Sequence, residues 1–490
     1  MTDEKRTRVS PPSPRDSSIP VYVWPLLLAA IGLLVVIPTA AGTLFVQIPL
    51  AAGLLVTAAF LWVLWRRRQG SVPWFEIGVV YVGVVAVYLT YPLLGFLALG
   101  QTYTPLNDAR LFMMQPRAED VGRIGWLYVC HLTGFAVVYL LVRGRLPMQV
   151  PPIRRPRLSV FIAVVVVYVS IEAFGLFLGL FYDTSADTYL KTYLAARRLP
   201  LVFSQLLNHL NGIKYVLSVM LMAALFTRYP ASRPVIAGWL LLVGAITIAR
   251  LGSRTELVLL GLAAALVYER LVRPIQPRLL WAAGTAGLLA FVGFGALRNA
   301  RLGGGVGGFN PFAYANEFEN LFTNSLHLNQ ILPSIGELPR AFYFADFAAL
   351  VPQQFVPFVK IDRADWYVNR FFPDYAEVGG GLAFGTISEA VLTGGWPSAL
   401  AAGCALGFCF ARIHRLYLQR SDSFWIFVMY VWVTTLSYQS FRNSTFALLV
   451  LFAYRFAPAV LLVSLVATLV KPFLSSRPRQ PSSAPGAVGA

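Results

Sequence analysis

The sequence predicts an all-α protein that crosses a membrane many times. Hydrophobic residues make up 57% of the chain and charged residues only 13%, whereas soluble domains carry about 25% charged residues. The mean hydropathy is +0.65. Apolar runs recur between short polar interruptions, and about twelve of them reach the ~20 apolar residues that a span requires. Lipid is therefore the main solvent of this chain.

The predicted membrane helices form two groups on either side of a long loop. The first group, within 21–297, comprises 21–42, 44–65, 74–99, 124–142, 159–181, 206–227, 235–249, 257–269 and 279–297. The second group, within 395–470, comprises 395–412, 423–440 and 445–470. The loop spans 298–394. The polar ends 1–20 and 471–490 are predicted to be disordered.

The basic charge of the chain is best explained by membrane topology. A net charge of +18 would suggest nucleic acid as the partner of a soluble protein, but no basic-aromatic binding module appears. The clusters fall at 5–15, 66–68, 143–157, 228–233, 270–278, 412–420 and 471–479. They occupy every second connection, and lysine and arginine mark the cytoplasmic side. Both termini are therefore predicted inside, and the loop 298–394 outside.

The long loop is predicted to be a folded cap. It contains the glycine clusters 303–308 and 379–381, which suit flexible or closely approaching backbone. Its apolar stretch 341–358 is interrupted by Pro352 and Pro357. Because such pieces are too short to span a bilayer, we expect short interfacial or re-entrant helices there.

Several arginines lie at the predicted outer ends of helices, where the positive-inside tendency should exclude them. Arginine binds phosphate through two parallel hydrogen bonds, so these residues are candidates for holding a diphosphate. The candidate arginines are Arg250, Arg254, Arg298, Arg301 and Arg442, and Ser253, next to Arg254, is a further candidate donor. The turn around Gly252 is rich in donors and favours anion binding. The alternative is that individual arginines extend to lipid headgroups.

Glu389 is the one carboxylate in an apolar helical stretch between Gly385 and Gly394. Carboxylates at or near a membrane are costly unless they are paired or used, so an arginine partner is expected. Glu389 is then either a structural counter-ion or a base that accepts a proton from a sugar hydroxyl.

Three further polar residues are weaker candidates for contact with a sugar. Asn208 and Asn211 lie one turn apart on a predicted helix, where they suit either sugar hydroxyls or hydrogen bonds between helices. His327 stands in the long loop and is either a base or incidental.

No metal or other cofactor is expected. The first outside connection, near Gly42, contains no carboxylates, so the acidic metal site of oligosaccharyltransferase-like enzymes is missing there. Zinc-binding, phosphate-loop and Gly-x-Ser-x-Gly motifs are also missing from the sequence.

Three segments together resemble the Wzy-type O-antigen polymerases, which are related to the O-antigen ligases. They are the Gly252-Ser253-Arg254 turn that opens a helix, the long loop after Arg298, and the run from Leu350 to Lys360 followed by Gly381 to Glu389 and Gly394-Gly395. The resemblance covers about residues 200–460 and implies a glycosyltransferase fold of the GT-C-like type. Thr393 stands where the family has an asparagine-like residue.

The resemblance implies that a glycan is transferred from undecaprenyl diphosphate to the next lipid-linked repeat unit at the periplasmic face of the inner membrane. It assigns catalysis to Glu389, Arg254 and Arg298 and substrate binding to the other candidates. Its implied partners are the undecaprenyl-diphosphate-linked oligosaccharide, the lipid bilayer, a chain-length regulator and a flippase. An O-antigen ligase would use the same donor and a loop histidine such as His327. A flippase or transporter would show paired half-repeats, which the sequence lacks.

Overall fold

The computed structural model describes residues 23–35, 43–67, 73–99, 117–144, 152–181, 200–228, 238, 254–276, 278–280, 282, 284–287, 289, 293, 316–352, 355–377 and 381–475. The described residues form helices and connections without strands. They belong to two compact units. Unit 1 draws on 1–151, 275–421 and 433–450, and unit 2 on 152–274, 422–432 and 451–490.

The helices of the first half are α1 (Trp24–Val35), α2 (Leu44–Arg67), α3 (Ile77–Leu99), α4 (Ala118–Arg143), α5 (Leu158–Phe181), α6 (Leu201–Arg228) and α7 (Arg254–Leu271). The predicted outside loop contributes α8 (Asn316–Ile335), α9 (Arg340–Tyr343), α10 (Ala345–Ala349), α11 (Arg363–Phe371), α12 (Pro373–Glu377) and α13 (Gly385–Thr393). The last part contains α14 (Trp396–Gln419), α15 (Phe424–Leu436), α16 (Gln439–Arg442), α17 (Ala447–Leu451), a π-helix (Phe452–Phe456) and α18 (Ala457–Ser475).

Seven helical stretches in the described part of the chain are long and apolar enough to cross a membrane. They are Leu44–Arg67, Ile77–Leu99, Ala118–Arg143, Leu158–Leu178, His209–Arg228, Trp396–Gln419 and Ala447–Leu474. The protein is thus a helical multi-pass membrane protein, as the composition predicted. Of the predicted helix 235–249 only residue 238 is described, and the predicted helix 279–297 is described at scattered positions only, so a total of about twelve stays a prediction.

Several helix boundaries differ from the sequence-based expectation. The first helix is described over Trp24–Val35; its predicted ends at 21–22 and 36–42 lie outside the described residues, so its full length stays a prediction. The helix predicted at 257–269 begins at Arg254, but its charged first and last turns make it too polar for a candidate span. The helix predicted to end at 440 ends at Leu436, where the Ser437 hydroxyl bonds the carbonyl of Thr434 at 2.9 Å. Ser and Thr compete in this way with helical hydrogen bonds.

The ends of the chain are only partly described. The last helix continues to Ser475, so the first residues of the tail predicted to be disordered at 471–490 are helical. Residues 476–490 and the predicted disordered segment 1–20 lie outside the described residues.

Helices α4 and α14 form the closest helix pair of unit 1. Gly134 on α4 lies under the backbone of α14, because a Cβ there would come within 2.6 Å of the Leu400 carbonyl oxygen. A Cβ added at Gly407 on α14 would likewise lie 2.6 Å from the Phe135 carbonyl oxygen. Small residues allow backbones in membranes to pack this tightly. The contact fixes the start of α14, and therefore the short helix α13 just before it.

A buried ion pair holds the other end of unit 1. Glu76 accepts hydrogen bonds from Arg143 Nε at 2.5 Å and Nη2 at 2.8 Å, and from the Tyr139 hydroxyl at 2.7 Å. His414 Nε2 lies 3.4 Å from the same carboxylate. At 1.5 Å per residue, α14 separates His414 from Trp396 by about 27 Å. The candidate site before Trp396 therefore lies at the opposite end of α14.

The part of the predicted outside loop that is described is mostly helical. Its largest helix, α8, contains 20 residues and packs against α3, α4 and α13. Phe318 at its start lies 5.1 Å from the ring of Tyr88 on α3. Helices α9 to α13 are short, with 4 to 9 residues each, whereas α8 is longer and buries Leu321, Phe322 and Leu326. That the short helices are interfacial or re-entrant stays a prediction.

Candidate active site

Helix α13 starts at a residue that has to be glycine. Gly385 has φ +76°, and a Cβ there would lie 2.6 Å from the Leu321 side chain. Its amide donates to the carbonyl of Asn443 at 3.2 Å. Residues that carry a Cβ atom rarely adopt this backbone conformation. The glycine thus lets α13 begin against α8 and the 440–445 segment, which places Glu389 one turn further along.

Glu389 lies in a buried polar cluster. One carboxylate oxygen, Oε1, lies 2.5 Å from Arg363 Nη1. The other, Oε2, accepts hydrogen bonds from the Thr445 hydroxyl at 2.8 Å and the Thr445 amide at 3.3 Å. The expected arginine partner is therefore present. It comes from within the loop and is not one of the candidate arginines at the helix ends.

Arg363 joins two carboxylates. Its Nη1 also lies 3.1 Å from Asp346 Oδ2, its Nε donates to the Phe342 carbonyl at 3.1 Å, and its guanidinium stands 5.3 Å from the centre of the Phe342 ring. The residue before it, Asp362, caps α11 by accepting the amides of Ala364 and Asp365. The cap and these contacts hold the guanidinium in one orientation.

Asp346 fastens helix α10 to the segment before α17. Its Oδ1 accepts the Ser444 hydroxyl at 2.7 Å and its Oδ2 accepts the Phe446 amide at 3.2 Å. Two carboxylates and one guanidinium thus share a site in which each side chain is only about one tenth exposed. The formal charge of this ion cluster, defined as Asp346, Arg363 and Glu389, is one negative charge.

Burial raises the pKa of Glu389 to about 7, and the negative charge of Asp346 adds to this effect. Arg363 and the two hydrogen bonds from Thr445 act in the opposite direction. Desolvation outweighs them because a charged carboxylate loses its hydration when it is buried. Near neutral pH, Glu389 is therefore able to exist in both forms, as a general base must.

We expect stability and turnover to change in opposite directions with pH. In the folded protein Glu389 keeps its proton up to about pH 7, whereas an ordinary glutamate carboxyl, as in the unfolded chain, loses it near pH 4.5. The free energy of unfolding should therefore fall as pH rises through this window and then level off. A reaction that needs the carboxylate should instead become faster, with a midpoint near pH 7.

Thermal unfolding and initial rates across this pH range, measured on the purified protein in lipid, test this expectation. In Asp346→Asn the rate midpoint should move to lower pH, because a neighbouring negative charge is removed. A midpoint that stays in place in this variant would mean that another group controls the rate.

His327 lies in an aromatic cluster between α8 and α11. Its Nδ1 is 2.8 Å from the Tyr367 hydroxyl, and its ring packs 5.7 Å from Phe371 and 5.5 Å from Phe372. Burial lowers the pKa of His327 to about 4, so the ring is neutral at pH 7. This environment is that of a packing residue that joins two helices.

The remaining candidates are spread over both units. In unit 1, Arg442 ends α16, and its carbonyl oxygen lies 3.4 Å from the Cβ position of Gly385. In unit 2, Arg254 is the first residue of α7, and Asn208 and Asn211 lie on α6. The side chain of Asn211 is exposed. The side chains of Arg254 and Asn208, and all of Arg250, Ser253, Arg298 and Arg301, lie outside what the structure describes.

The polar stripe of α6 makes a contact between helices. Lys214, one turn after Asn211, forms a 2.5 Å ion pair with Glu172 of α5. Gly212 lies against the Arg455 side chain of the π-helix, 2.6 Å from its Nε if a Cβ is added. These contacts agree with the helix-to-helix alternative for the stripe.

Four site residues were not foreseen: Asp346, Arg363, Ser444 and Thr445. One of them carried a recognisable signal, since Asp346 is the single charge between Ala341 and Val359 and, like Glu389, it needs a partner.

Comparison of the chain with family models, curated proteins and solved structures found no match. A functional interpretation therefore depends on the chemistry of the site. The ion cluster offers a carboxyl that can accept a proton near neutral pH and a guanidinium that holds it in place. Such a pair suits deprotonation of a hydroxyl by a general base.

Proposed function

We propose that the protein is a glycosyltransferase of the bacterial inner membrane, which polymerises undecaprenyl-diphosphate-linked oligosaccharide repeat units at the periplasmic face. The observation that carries the proposal is Glu389, a carboxyl buried beside Arg363 with its pKa raised to about 7. Its position supports this function, because Glu389 lies just before α14, a candidate membrane span. A lipid-linked donor and acceptor would present their sugars at that level.

In the proposed reaction the acceptor hydroxyl attacks the anomeric carbon of the donor sugar. A new glycosidic C–O bond forms, the bond from the anomeric carbon to the diphosphate oxygen breaks, and undecaprenyl diphosphate leaves. Glu389 accepts the hydroxyl proton, which later passes to water. Arg363 orients the Glu389 carboxylate and offsets its charge, while Thr445 holds its second oxygen, Oε2. Groups held in this way are positioned for proton transfer.

Arginines are the proposed binding groups for the diphosphate, whose negative charge grows as the bond breaks. Arg254 is the strongest candidate, because the sequence predicts that the turn around Gly252 opens helix α7, of which Arg254 is the first described residue, and a helix N-terminus favours anions. Arg250, Ser253, Arg298, Arg301 and Arg442 remain candidates for the same role. Asn208 and Asn211 remain candidates for binding the sugar.

We expect Arg254→Lys to impair polymerisation nearly as much as Arg254→Ala. Lysine keeps the charge but loses the planar pair of donors that grips a diphosphate. If Arg254 only contacts lipid headgroups, Arg254→Lys should polymerise as well as the unaltered protein. Donor affinity and polymer length, measured on equal amounts of folded variants in lipid, distinguish the two roles. Normal behaviour of Arg254→Ala would remove Arg254 from diphosphate binding.

Deletion of the gene tests the proposed function as a whole. When the surface polysaccharide is separated by size, a polymerase deletion should leave single repeat units on the lipid core. Free lipid-linked polymer would instead indicate a ligase. Repeat units that accumulate in the cytoplasm would indicate a flippase, and either result would overturn the proposal.

A further inference from the structure

Unit 1 carries a run of exposed apolar side chains outside the membrane spans. This apolar strip consists of Tyr343, Phe344, Phe347, Val351, Phe355, Phe358 and Val359. Phe344 is 65% exposed, Phe355 77% and Val359 82%. The one charge between Ala341 and Val359 belongs to Asp346, which is buried in the ion cluster. Exposed apolar side chains grouped along one segment in this way mark an interaction site.

The strip lies at the level where a membrane span begins. Asp346 binds the Ser444 hydroxyl and the Phe446 amide, and the candidate span Ala447–Leu474 follows directly. The ring of Phe347 lies 5.2 Å from that of Phe446. Leu449, the third residue of this span, is exposed as well. The apolar strip therefore lies beside the start of a candidate membrane span.

Basic residues flank the apolar strip, as they flank membrane-embedded segments. Arg340 precedes it and Lys360 follows it, and the Lys360 ammonium donates to the carbonyl of Val351, which closes the segment into a compact loop. Basic side chains beside an apolar segment reach the phosphate level of a bilayer. Trp396, the exposed first residue of α14, is of the type that marks the same interface.

We propose that the apolar strip is seated among the acyl chains of the adjacent leaflet, and that Asp346 fastens it to the ion cluster. On α10, Asp346 is buried while its neighbour Phe347 is exposed. The depth of the apolar strip in the bilayer therefore determines the depth at which Asp346 forms its ion pair with Arg363. The proposal concerns contact with lipid and does not depend on the reaction proposed above.

A fluorescent probe at Phe355 tests the lipid contact in the full-length protein. Cys130, Cys404 and Cys409 are replaced by alanine, Phe355→Cys carries an environment-sensitive fluorophore, and the protein is placed in phosphatidylglycerol and phosphatidylcholine vesicles with nitroxide-labelled acyl chains. We expect emission at shorter wavelength and quenching several-fold stronger than for the same probe at Asp374→Cys. Asp374 is an exposed residue of α12 outside the strip, so it serves as the matched control.

Val359→Cys provides a second position, so that a local disturbance at residue 355 does not decide the result. Equally strong quenching at both positions supports the seat in the bilayer. Emission and quenching equal to those at residue 374 would overturn it. Emission at shorter wavelength without quenching by the lipid nitroxides would also overturn it, because another protein surface, such as a second copy of the chain, would then cover the strip.

Discussion

Glu389→Gln should lower the rate of chain extension by about 10²–10⁴-fold, the usual contribution of a general acid-base group. Glutamine has nearly the same shape, and its single amide oxygen can accept hydrogen bonds from either Thr445 or Arg363. Arg363 keeps Asp346 as a partner at 3.1 Å, so its charge is not left unpaired. We therefore expect the variant to fold and to bind the lipid-linked repeat unit normally. The measurement is the rate per folded molecule with a purified lipid-linked donor and acceptor in lipid.

Glu377→Gln is the matched control, because Glu377 is an exposed carboxylate of α12 in the same loop. It should leave both rate and stability unchanged. If Glu389 is only a counter-ion, its replacement should reduce the amount of folded protein but leave the rate of each folded molecule intact. That outcome would exclude Glu389 as the base.

The membrane architecture could be predicted because spans are recognised by a local property. Runs such as Leu44–Arg67 and Ile77–Leu99 are predominantly apolar, so their helical structure follows from the run alone. Helix α8 could not be found in this way. Its buried residues include polar ones such as Asn324 beside apolar ones such as Phe322, so the hydropathy of the segment does not reveal that it is buried.

The candidate site could be predicted only in part because its partners lie far apart in the chain. Glu389 was recognisable as a lone carboxylate in an apolar stretch, and so was its need for an arginine. The choice of arginine depends on how the loop folds, since Arg363 is 26 residues away in sequence. The Glu76 pair with Arg143, across 67 residues, was missed for the same reason. The predicted anion site around Arg254 stays a prediction.

Arg363→Ala should be the most destabilising single change at the site. It leaves Asp346 and Glu389 close together and buried without a cation. Loss of one partner from a buried ion pair typically costs about 3–5 kcal/mol. We expect a large drop in the thermal unfolding temperature and in the yield of folded protein. Arg370→Ala, the control on the same helix, loses a hydrogen bond to the Ile335 carbonyl and cation–π contacts with Trp366 and Phe371. This loss is typically about 1–3 kcal/mol, and it leaves no buried carboxylate without a cation.

The triple variant Asp346→Asn, Arg363→Met, Glu389→Gln separates the structural role of the ion cluster from the catalytic one. It removes all three charges with little change in volume, and such neutral replacements of buried ion pairs are often as stable as the original. Stability should therefore return to near that of the unaltered protein, whereas chain extension should stay at the level of Glu389→Gln. A triple variant as unstable as Arg363→Ala would show that unpaired charge does not cause the loss. A triple variant that extends chains normally would show that the ion cluster only holds the loop in place, and that the proton of the acceptor hydroxyl goes to another group.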